Sequence, residues 1–357
     1  MSQSQIRMNK RQSVTIKEVA ERAGVSLMTV SRVLNKQSVV KDETRARVEE
    51  AMRELNYRPN MLARGLAGGN SIFIGLVHAN PSGSYLSEFL VGALNKCREL
   101  THHLVLEDMV IGEDTSVEEF ERHLRNIGLD GMIVTPPLSE NPSFIQALRN
   151  IAAPFVLVSP GDNAPENASV LINDRQAAEM MTNYLIEKGH TRIGFILGKP
   201  DQSSTYRRHE GYLAAMKSHG LEIARDDVIQ GAFTYRSGMQ AAEKILGQAT
   251  PPTAIFASND DMAAGVIAMA HQRGLKIPQD LSVVGFDDTP IATAIWPQLT
   301  TIRQPIADMA QSAVTMLSES VAGSNGNGAK QSSDGHDHLV LDFAIIERDT
   351  VGVPKKG

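Results

Sequence analysis

Residues 15–59 have the sequence TIKEVAERAGVSLMTVSRVLNKQSVVKDETRARVEEAMRELNYRP, in which apolar side chains recur at helical spacing in three short segments. The three apolar stripes are Ile16, Val19, Ala20 and Ala23; Val30, Val33 and Leu34; and Val48, Ala51, Met52 and Leu55. Spacing of three and four residues places side chains on one face of a helix. Three such faces can share one core, so the pattern predicts a small three-helix domain.

The links between these helices are short. Thr15 followed by Glu18 has the spacing of a capping box, in which each side chain satisfies the other's free backbone donor. The first helix should end at Gly24, and Ser26 can cap the second helix two residues later. So short a link allows only a sharp turn between the helices, which is typical of a helix-turn-helix motif. We therefore expect the second helix to enter the major groove of DNA.

The exposed face of that second helix carries short polar groups, two large apolar side chains and one arginine, which suit contacts to phosphates and base edges. The DNA-binding headpiece of the lactose-repressor (LacI) family is similar to this chain in four segments: Val14 to Ala20, Ala23-Gly24-Val25-Ser26, Thr29 to Asn35, and Leu55-Asn56-Tyr57-Arg58-Pro59-Asn60. The exposed face and the resemblance together give the candidate DNA contacts Thr15, Ser26, Leu27, Met28, Thr29, Ser31, Arg32, Asn35, Tyr57, Asn60, Ala63 and Leu66. The alternative is a generic three-helix bundle. One departure from the family is Lys41, which cannot accept hydrogen bonds from the start of the third helix, so Asp42 takes over or the helix frays.

Residues 60–69 have helical character but are too few to form a stable helix alone in water. Their resemblance to the family implies a hinge helix, which pairs with its twin in a homodimer and inserts Leu66 into the minor groove. The alternative is a plain linker, which Gly65, Gly68 and Gly69 favour.

The charge of the chain is distributed unevenly. Residues 1–68 contain 13 Lys or Arg and 7 Asp or Glu, a net charge of +6, whereas the remainder contains 22 and 34, a net charge of −12. A basic head on an acidic body favours a polyanion such as double-stranded DNA as the partner of the head.

Apolar runs fall short of the roughly 20 residues that span a bilayer, and no apolar signal core opens the chain, so we expect a cytoplasmic protein that does not bind membranes. The single Cys97 is expected to be a buried packing thiol.

After Ser71, short apolar runs alternate with amphipathic helical segments in two successive sets, which predicts two lobes built on parallel sheets. This part resembles the same family in Glu187-Lys188-Gly189-His190, Ala257-Ser258-Asn259-Asp260 and the segment from Asp280 to Asp288. The resemblance implies a two-lobed α/β body like a periplasmic sugar-binding protein, with three crossings between the lobes. The fold class is therefore an all-α helix-turn-helix headpiece joined to an α/β body.

The expected boundaries follow from these patterns. We expect a flexible arm at residues 1–13, the DNA-binding domain at 14–59, a hinge and linker at 60–69, and a body at 70–357. Within the body, the first lobe takes residues 70–168 and 300–323 and the second lobe residues 169–298 and 338–350. The crossings then fall near Ser169, near Gln298 and in the segment Gly323 to His338, a loop rich in Gly, Asn and Ser. His336 and His338 in that loop are expected to be solvated rather than metal-bound.

Ligands of open parallel sheets bind at the carboxyl ends of the strands, here in a cleft between the lobes. Four candidate effector contacts are expected at strand ends: Arg208, Asp287, Asn259 and Phe233. Of these, the resemblance to the family implies a ligand-binding role for Arg208, Asp287 and Phe233, whereas Asn259 is chosen because it follows a strand. Ser159, also at a strand end, is a fifth candidate. An arginine fork and a carboxylate can bind hydroxyl groups, and an aromatic ring can stack on a sugar. The first four also have structural alternatives: an ion pair with Glu210 or a helix cap for Arg208, a helix cap for Asp287, a turn for Asn259, and core packing for Phe233. Ser159 stands where many sugar-binding members have an acidic residue.

Signatures of enzymes are missing from the sequence, which has no G-x-G-x-x-G after a strand, no Walker loop, no G-x-S-x-G and no metal cluster. We therefore expect no catalytic activity and no cofactor. The sequence predicts a dimeric, sequence-specific repressor controlled by a small effector, of which a sugar or sugar derivative is the first candidate. The alternative is a periplasmic-type sugar-binding protein, which leaves the helix-turn-helix and the missing signal peptide unexplained.

Overall fold

A computed structural model describes residues 16–34, 40–55, 71–79, 82–109, 116–161, 167–325 and 338–355. The chain folds as two compact units, which we call the headpiece (up to Ser71) and the body (from Ile72). The hinge predicted at residues 60–69 and the arm predicted at residues 1–13 lie outside the described residues.

In residues 16–34 and 40–55, the headpiece contains three helices, α1 (Ile16–Ala23), α2 (Leu27–Leu34) and α3 (Asp42–Glu54). Their buried apolar side chains form one core, as the sequence predicts: Val19, Ala20, Ala23, Val30, Val33, Val48 and Ala51. Thr15 of the predicted capping box lies outside the described residues. Lys41 is the N-cap of α3, and within the described residues its side chain makes no capping hydrogen bond, so the helix starts without this stabilisation.

The turn between α1 and α2 is held by three polar contacts. Gly24 adopts a left-handed φ of 64°, which ends α1 and which a side chain would strain. Arg47 of α3 donates from Nη2 to the carbonyl oxygens of Ala23 (2.6 Å) and Gly24 (3.4 Å), two of the carbonyls that a helix end leaves without partners. The hydroxyl of Ser26 accepts a hydrogen bond from the backbone N–H of Thr29 at 3.1 Å, so Ser26 caps α2 as predicted.

The body is built on two six-stranded sheets. The first sheet has the order β11-β5-β4-β3-β1-β2 and is parallel throughout. Its strands are β1 (Phe73–His78), β2 (His103–Asp108), β3 (Gly131–Val134), β4 (Phe155–Val158), β5 (Ser169–Ile172) and β11 (His338–Leu341). The second sheet has the order β12-β10-β9-β8-β6-β7, in which only the edge strand β12 is antiparallel. Its strands are β6 (Ile193–Leu197), β7 (Val228–Gln230), β8 (Ala254–Ala257), β9 (Ser282–Asp287), β10 (Thr300–Arg303) and β12 (Ala344–Ile346).

Helices cover the sheets. The first lobe contains α4 (Gly83–Glu99), α5 (Val117–Ile127), α6 (Pro142–Asn150) and α12 (Ile306–Asn325). The second lobe contains α7 (Asp174–Glu187), α8 (Ser203–Ser218), α9 (Tyr235–Leu246), α10 (Asp260–Gln272) and α11 (Ile291–Ala294). The largest apolar core runs continuously through both lobes, from Ile74 of β1 to Phe195 of β6 and Phe256 of β8. Within the described residues, no helix is long and apolar enough to cross a membrane.

The lobe boundaries differ from the sequence prediction at all three crossings. Strand β5 belongs to the first sheet, so the chain crosses after Ile172 rather than near Ser169. Strand β10 belongs to the second sheet, which moves the next crossing from Gln298 to the residues after Arg303. Strand β11 returns to the first sheet before β12 joins the second, so the third crossing lies after Leu341. An apolar run predicts a strand but carries no information on which sheet the strand joins.

The third predicted crossing, residues 323–338, was also predicted to be a loop. Helix α12 extends to Asn325, so the segment begins as helix, and residues 326–337, including His336, lie outside the described residues. His338 lies in β11, where its Nδ1 atom is hydrogen-bonded to the hydroxyl of Ser169 at 2.7 Å. The prediction of a loop at this position was wrong, because the residue pairs with β5.

Candidate functional site

The outer face of α2 is the candidate nucleic-acid interface. Val30 and Val33 are buried in the headpiece core, whereas Leu27, Met28 and Arg32 are exposed, with Met28 64% accessible. A large apolar side chain left this exposed on a small basic domain is available for contact with a partner surface. The predicted contacts Thr15, Asn35, Tyr57, Asn60, Ala63 and Leu66 lie outside the described residues.

Two of the predicted DNA contacts also have a structural role. The Ser26 hydroxyl caps α2 and lies 2.9 Å from the hydroxyl of Thr29. Both hydroxyls therefore already make hydrogen bonds within the headpiece. These bonds fix the start of α2, beside its exposed face.

The body contains a cleft at the carboxyl ends of the strands of both sheets. It holds about 410 Å³ of space not filled by atoms, a volume that includes open solvent. The lining residues are Ser82, Tyr85, Pro136, Ser159, Gln202, Ser204, Arg208, Phe233, Asn259, Asp287 and Gln304. The first four belong to the first lobe, the next six to the second lobe, and Gln304 to a crossing segment. All five residues predicted from the sequence as effector contacts line this cleft.

Three of these five side chains are placed by unusual backbone conformations at strand ends. Ser159, Phe233 and Asp287 have positive φ angles of 46°, 58° and 118°. Such conformations cost on the order of 1–3 kcal/mol for residues other than glycine and occur preferentially at functional sites. In each case the conformation ends or follows a strand and turns the side chain toward the cleft that it lines.

Arg208 is the buried cation of the cleft, with 5% of its surface exposed. Its Nε donates to Oδ1 of Asp174 at 2.8 Å, its Nη1 donates to the backbone carbonyl of Ser258, and its Nη1 lies 3.8 Å from Oδ1 of Asp287. The guanidinium carbon lies 3.6 Å from the centre of the Phe286 ring. Within the described residues its Nη2 makes no hydrogen bond and is available to a ligand.

The position of Arg208 corrects one prediction. Arg208 was placed at a strand end with the other candidates, but it lies on the second turn of α8. Helix α8 approaches α7 closely at Gly211, where a β carbon would come within 2.1 Å of the carbonyl oxygen of Arg175. This contact brings Arg208 to Asp174 in the first turn of α7, so its partner is Asp174 and not Glu210.

Asp287 and Asn259 hold the second-lobe side of the cleft. Oδ1 of Asp287 accepts a hydrogen bond from Gln304 at 2.6 Å, and burial raises the pKa of Asp287 to about 7 against the opposing effects of Arg208 and Gln304. Burial and the nearby Asp287 also raise the pKa of Asp260. Asn259 donates to the carbonyl oxygen of Phe233 at 3.1 Å and accepts from the N–H of Met262 at 2.9 Å. Asn259 therefore caps α10 and fixes the Phe233 loop.

Gln202 is a cleft residue that the sequence did not single out. It is 3% exposed, and its amide nitrogen has no hydrogen-bond partner among the described residues. A buried donor without a partner costs about 1–3 kcal/mol, so this group is suited to a ligand acceptor. The sequence did offer one signal for Gln202 and Ser204: they lie only six and four residues before Arg208, which was predicted to contact the effector. Ligands of open parallel sheets bind at the carboxyl ends of the strands, which we call the strand-end rule. This rule could have found Gln304, because Gln304 directly follows β10.

Comparison with known proteins shows which family the chain belongs to. A family model described as bacterial regulatory proteins of the lacI family matches residues 15–60, and a model for a periplasmic binding protein-like domain matches residues 182–351. Catabolite control protein A of Priestia megaterium is 35% identical over 314 residues, which cover 86% of this chain and 92% of that protein. The chain belongs to the lacI family. The ribose operon repressor of Escherichia coli (strain K12) is 36% identical over 306 residues, which cover 85% of this chain and 92% of that repressor.

Solved structures of lacI-family proteins have the same architecture. The Lac repressor dimer bound to operator and the anti-inducer ONPF matches with a TM-score of 0.78 at 28% identity, over 96% of this chain and 100% of that one. The transcriptional regulator CelR in complex with cellobiose matches with a TM-score of 0.69 at 27% identity, over 94% and 99% of the two chains. These findings confirm the predicted fold class. As a lacI-family member, the protein is a DNA-binding transcriptional repressor and not an enzyme.

Proposed function

We propose that operator affinity of this repressor is controlled by a neutral, polyhydroxylated effector, of the sugar class, bound in the cleft of the body. The observation that carries the proposal is the set of free polar groups that the cleft presents. Gln202 and Arg208 offer donors, the amide nitrogen of Gln202 and Nη2 of Arg208, that no described residue uses. Asp287 offers Oδ2 as an acceptor, because its described hydrogen bond from Gln304 goes to Oδ1. Hydroxyl groups both donate and accept, and therefore match such a set.

The charge of the cleft supports an uncharged ligand. Arg208 is already paired with Asp174, and Asp287 adds a second buried carboxyl within 3.8 Å of the same guanidinium. An anionic ligand would add a third negative group around a single cation in a poorly solvated site. Phe233 packs in the apolar core of the second lobe and also lines the cleft, where the proposal is that the carbon face of a sugar rests on its ring edge or face. The CelR neighbour is a complex with cellobiose, a neutral sugar, and the cleft chemistry here is compatible with that ligand class.

For the headpiece, the proposal is that α2 lies in the major groove of the operator. Met28, Leu27 and Arg32 project from its exposed face, where Arg32 can contact a phosphate and Met28 the edge of a base. Ser26, Thr29 and Ser31 complete this face in the proposal, and Thr15, Asn35, Tyr57, Asn60 and Ala63 remain contacts predicted from the sequence. Leu66 is proposed to part a base step in the minor groove.

The repressor is proposed to act as a homodimer. A single short helix buries too little surface for specific binding, whereas two headpieces can bind two half-sites one helical turn apart. The operator-bound Lac repressor neighbour is itself described as a dimer. In this body, α4 exposes Val91 and Leu94 one turn apart, and these apolar side chains are available to a second subunit. A periplasmic-type sugar-binding protein without a regulatory role is disfavoured, because residues 15–60 match the DNA-binding family.

Thermal shift with matched ligands tests the effector proposal. Neutral aldoses and glycosides are compared with the corresponding uronic acids and sugar phosphates on the full chain. A ligand at 100 times its dissociation constant stabilises the body by about 2.7 kcal/mol, which corresponds to a Tm increase on the order of 5 °C. We expect at least one neutral sugar to give this shift, and Asp287→Asn to abolish it. Stabilisation by the anionic compounds alone would contradict the proposal.

A further inference from the structure

Two polar contacts join the lobes at two places beside residues that line the cleft. At the first, Glu140 of the first lobe accepts a hydrogen bond at its Oε2 from the backbone N–H of Ser203, at 2.7 Å. At the second, Asp261 of the second lobe accepts hydrogen bonds from the hydroxyls of Ser82 (2.7 Å) and Ser84 (3.0 Å). The partners in each contact belong to different lobes, so each contact forms only when the lobes approach each other.

The Glu140 contact supplies a cap that α8 does not have locally. Gln202 is the N-cap of α8, and its side chain makes no capping hydrogen bond among the described residues. The first N–H groups of a helix need acceptors, and a carboxylate at this end is favoured by the helix dipole. Glu140 provides that acceptor from the other lobe, at the end of the 3-10 turn Leu138–Glu140.

The surroundings of Glu140 indicate a tightly enclosed contact. Its Oε1 atom is buried and has no hydrogen-bond partner among the described residues. Gly161 has a φ of 37°, and a β carbon there would lie 3.2 Å from both Oε2 of Glu140 and Cβ of Ser203. Burial raises the pKa of Glu140 to about 7, against the opposing effects of Ser203 and of the charge of Arg207, while Asp174 raises it further.

Glu140, Ser203, Ser84 and Asp261 do not line the cleft. Ser82, one of the two donors to Asp261, does line it, as does Ser204 next to Ser203. The Glu140–Ser203 and Ser84–Asp261 hydrogen bonds can therefore act on closure without touching a ligand. We infer that Glu140 and Asp261 form two interlobe clamps that hold the cleft closed independently of the effector. The Glu140 clamp also fixes the start of α8, the helix that carries Ser204 and Arg208 into the cleft.

The clamps give the repressor a closure equilibrium of its own. An effector that requires the closed cleft binds more weakly when the closed state is less populated, in proportion to the closed fraction. Weakening a clamp should therefore lower apparent effector affinity although every ligand contact remains. This consequence rests on the proposed function, whereas the clamps themselves are testable without any ligand.

Hydrogen exchange of the full-length, ligand-free protein tests the clamps. In Glu140→Ala, the backbone amide of Ser203 should exchange about 10-fold faster or more, because a hydrogen bond to a charged acceptor is lost. In Glu140→Gln, the amide oxygen can still accept this bond, so the acceleration should be smaller. Glu243→Ala, which removes an exposed carboxylate from α9, is the matched control and should leave exchange at Ser203 unchanged.

Small-angle scattering and exchange at the Asp261 contact separate a clamp from a simple helix cap. We expect the double variant Glu140→Ala/Asp261→Ala to have a larger radius of gyration than the wild type and faster exchange in residues 82–86. Faster exchange confined to Ser203, with an unchanged scattering curve in the double variant, would overturn the inference and leave Glu140 as a cap only. If this double variant fails to fold, Glu140→Ala is combined instead with Ser84→Ala, which removes one of the two donors to Asp261. An unchanged radius together with wild-type exchange at Ser203 and in residues 82–86 would equally overturn the inference.

Discussion

Replacing Arg208 with Met removes the buried cation of the cleft and keeps a side chain of similar length. Asp174 and Arg208 are 4% and 5% exposed, and their 2.8 Å contact is the main compensation for both charges. Removing one member of such a pair costs about 3–5 kcal/mol, because the other charge stays buried without a partner. Asp287 can avoid part of this cost by binding a proton, because burial already raises its pKa to about 7. The larger share of the loss should therefore come from Asp174.

Urea unfolding of the body, followed by circular dichroism, measures this loss at pH 8 and at pH 5.5. An unpaired, buried carboxyl has a raised pKa in the folded state, so its contribution to stability is present at low pH and is lost as the pH rises. We therefore expect Arg208→Met to cost about 3–5 kcal/mol at pH 8 and clearly less at pH 5.5. Arg175→Met is the control, because the side chain of Arg175 is exposed and pairs with Glu179 at 3.9 Å; this substitution should cost about 0.5 kcal/mol or less. A loss below about 1 kcal/mol at pH 8, or an equal loss at both pH values, would refute the reasoning.

Three further predictions concern the headpiece and hinge. Arg47→Ala should destabilise the headpiece by about 1 kcal/mol, because it frees the last carbonyls of α1, and limited proteolysis of the full chain should show faster cleavage there. Met28→Ala should change which half-site is selected from a randomised library, and identical selection by this variant and the wild type would count against a base contact. Arg32→Ala should weaken binding to all sites and lower the steepness of log affinity against log salt by about 1. Leu66→Ala should reduce operator bending in a circular-permutation assay while dimerisation is retained, and an unchanged bend would reject the wedge.

The headpiece was predictable from sequence because its signals are local. The end of α1 depends on Gly24, the start of α2 on Ser26, and the core on helical spacing, and all of these lie within a few residues of the feature that they determine. Even the missing cap at Lys41 follows from the chemistry of one side chain. Arg47 was not predicted, because its contact with Ala23 crosses 24 residues and depends on how α3 packs on α1.

The body was predictable only in part. Apolar runs located most strands, but β5, β10 and β11 were assigned to the wrong lobe, since a run of Val, Leu and Ile fits either sheet equally well. The strand-end rule brought Asp287, Asn259 and Ser159 to one cleft. Their role as effector contacts stays a prediction.

The sequence gives no signal for residues that matter only because the fold brings them to a distant partner. Glu140 ends a 3-10 turn in the first lobe, yet its partner is the start of a helix in the second lobe. Asp174 is likewise an ordinary first-turn acid until α8 places Arg208 beside it. Such pairs depend on the relative placement of elements that are distant in sequence, which periodicity and local motifs do not encode.

The central claim, that a neutral sugar in the cleft controls operator binding, is tested most directly by measuring operator affinity with and without ligand. The operator is first selected from randomised duplexes with the full chain, and its affinity is then measured by fluorescence anisotropy against a panel of neutral sugars. Allosteric coupling typically amounts to about 5- to 150-fold in affinity. We predict a change in this range with at least one neutral sugar, absent in Asp287→Asn. A panel in which no neutral sugar changes operator affinity, or a change that persists unaltered in Asp287→Asn, would contradict the claim.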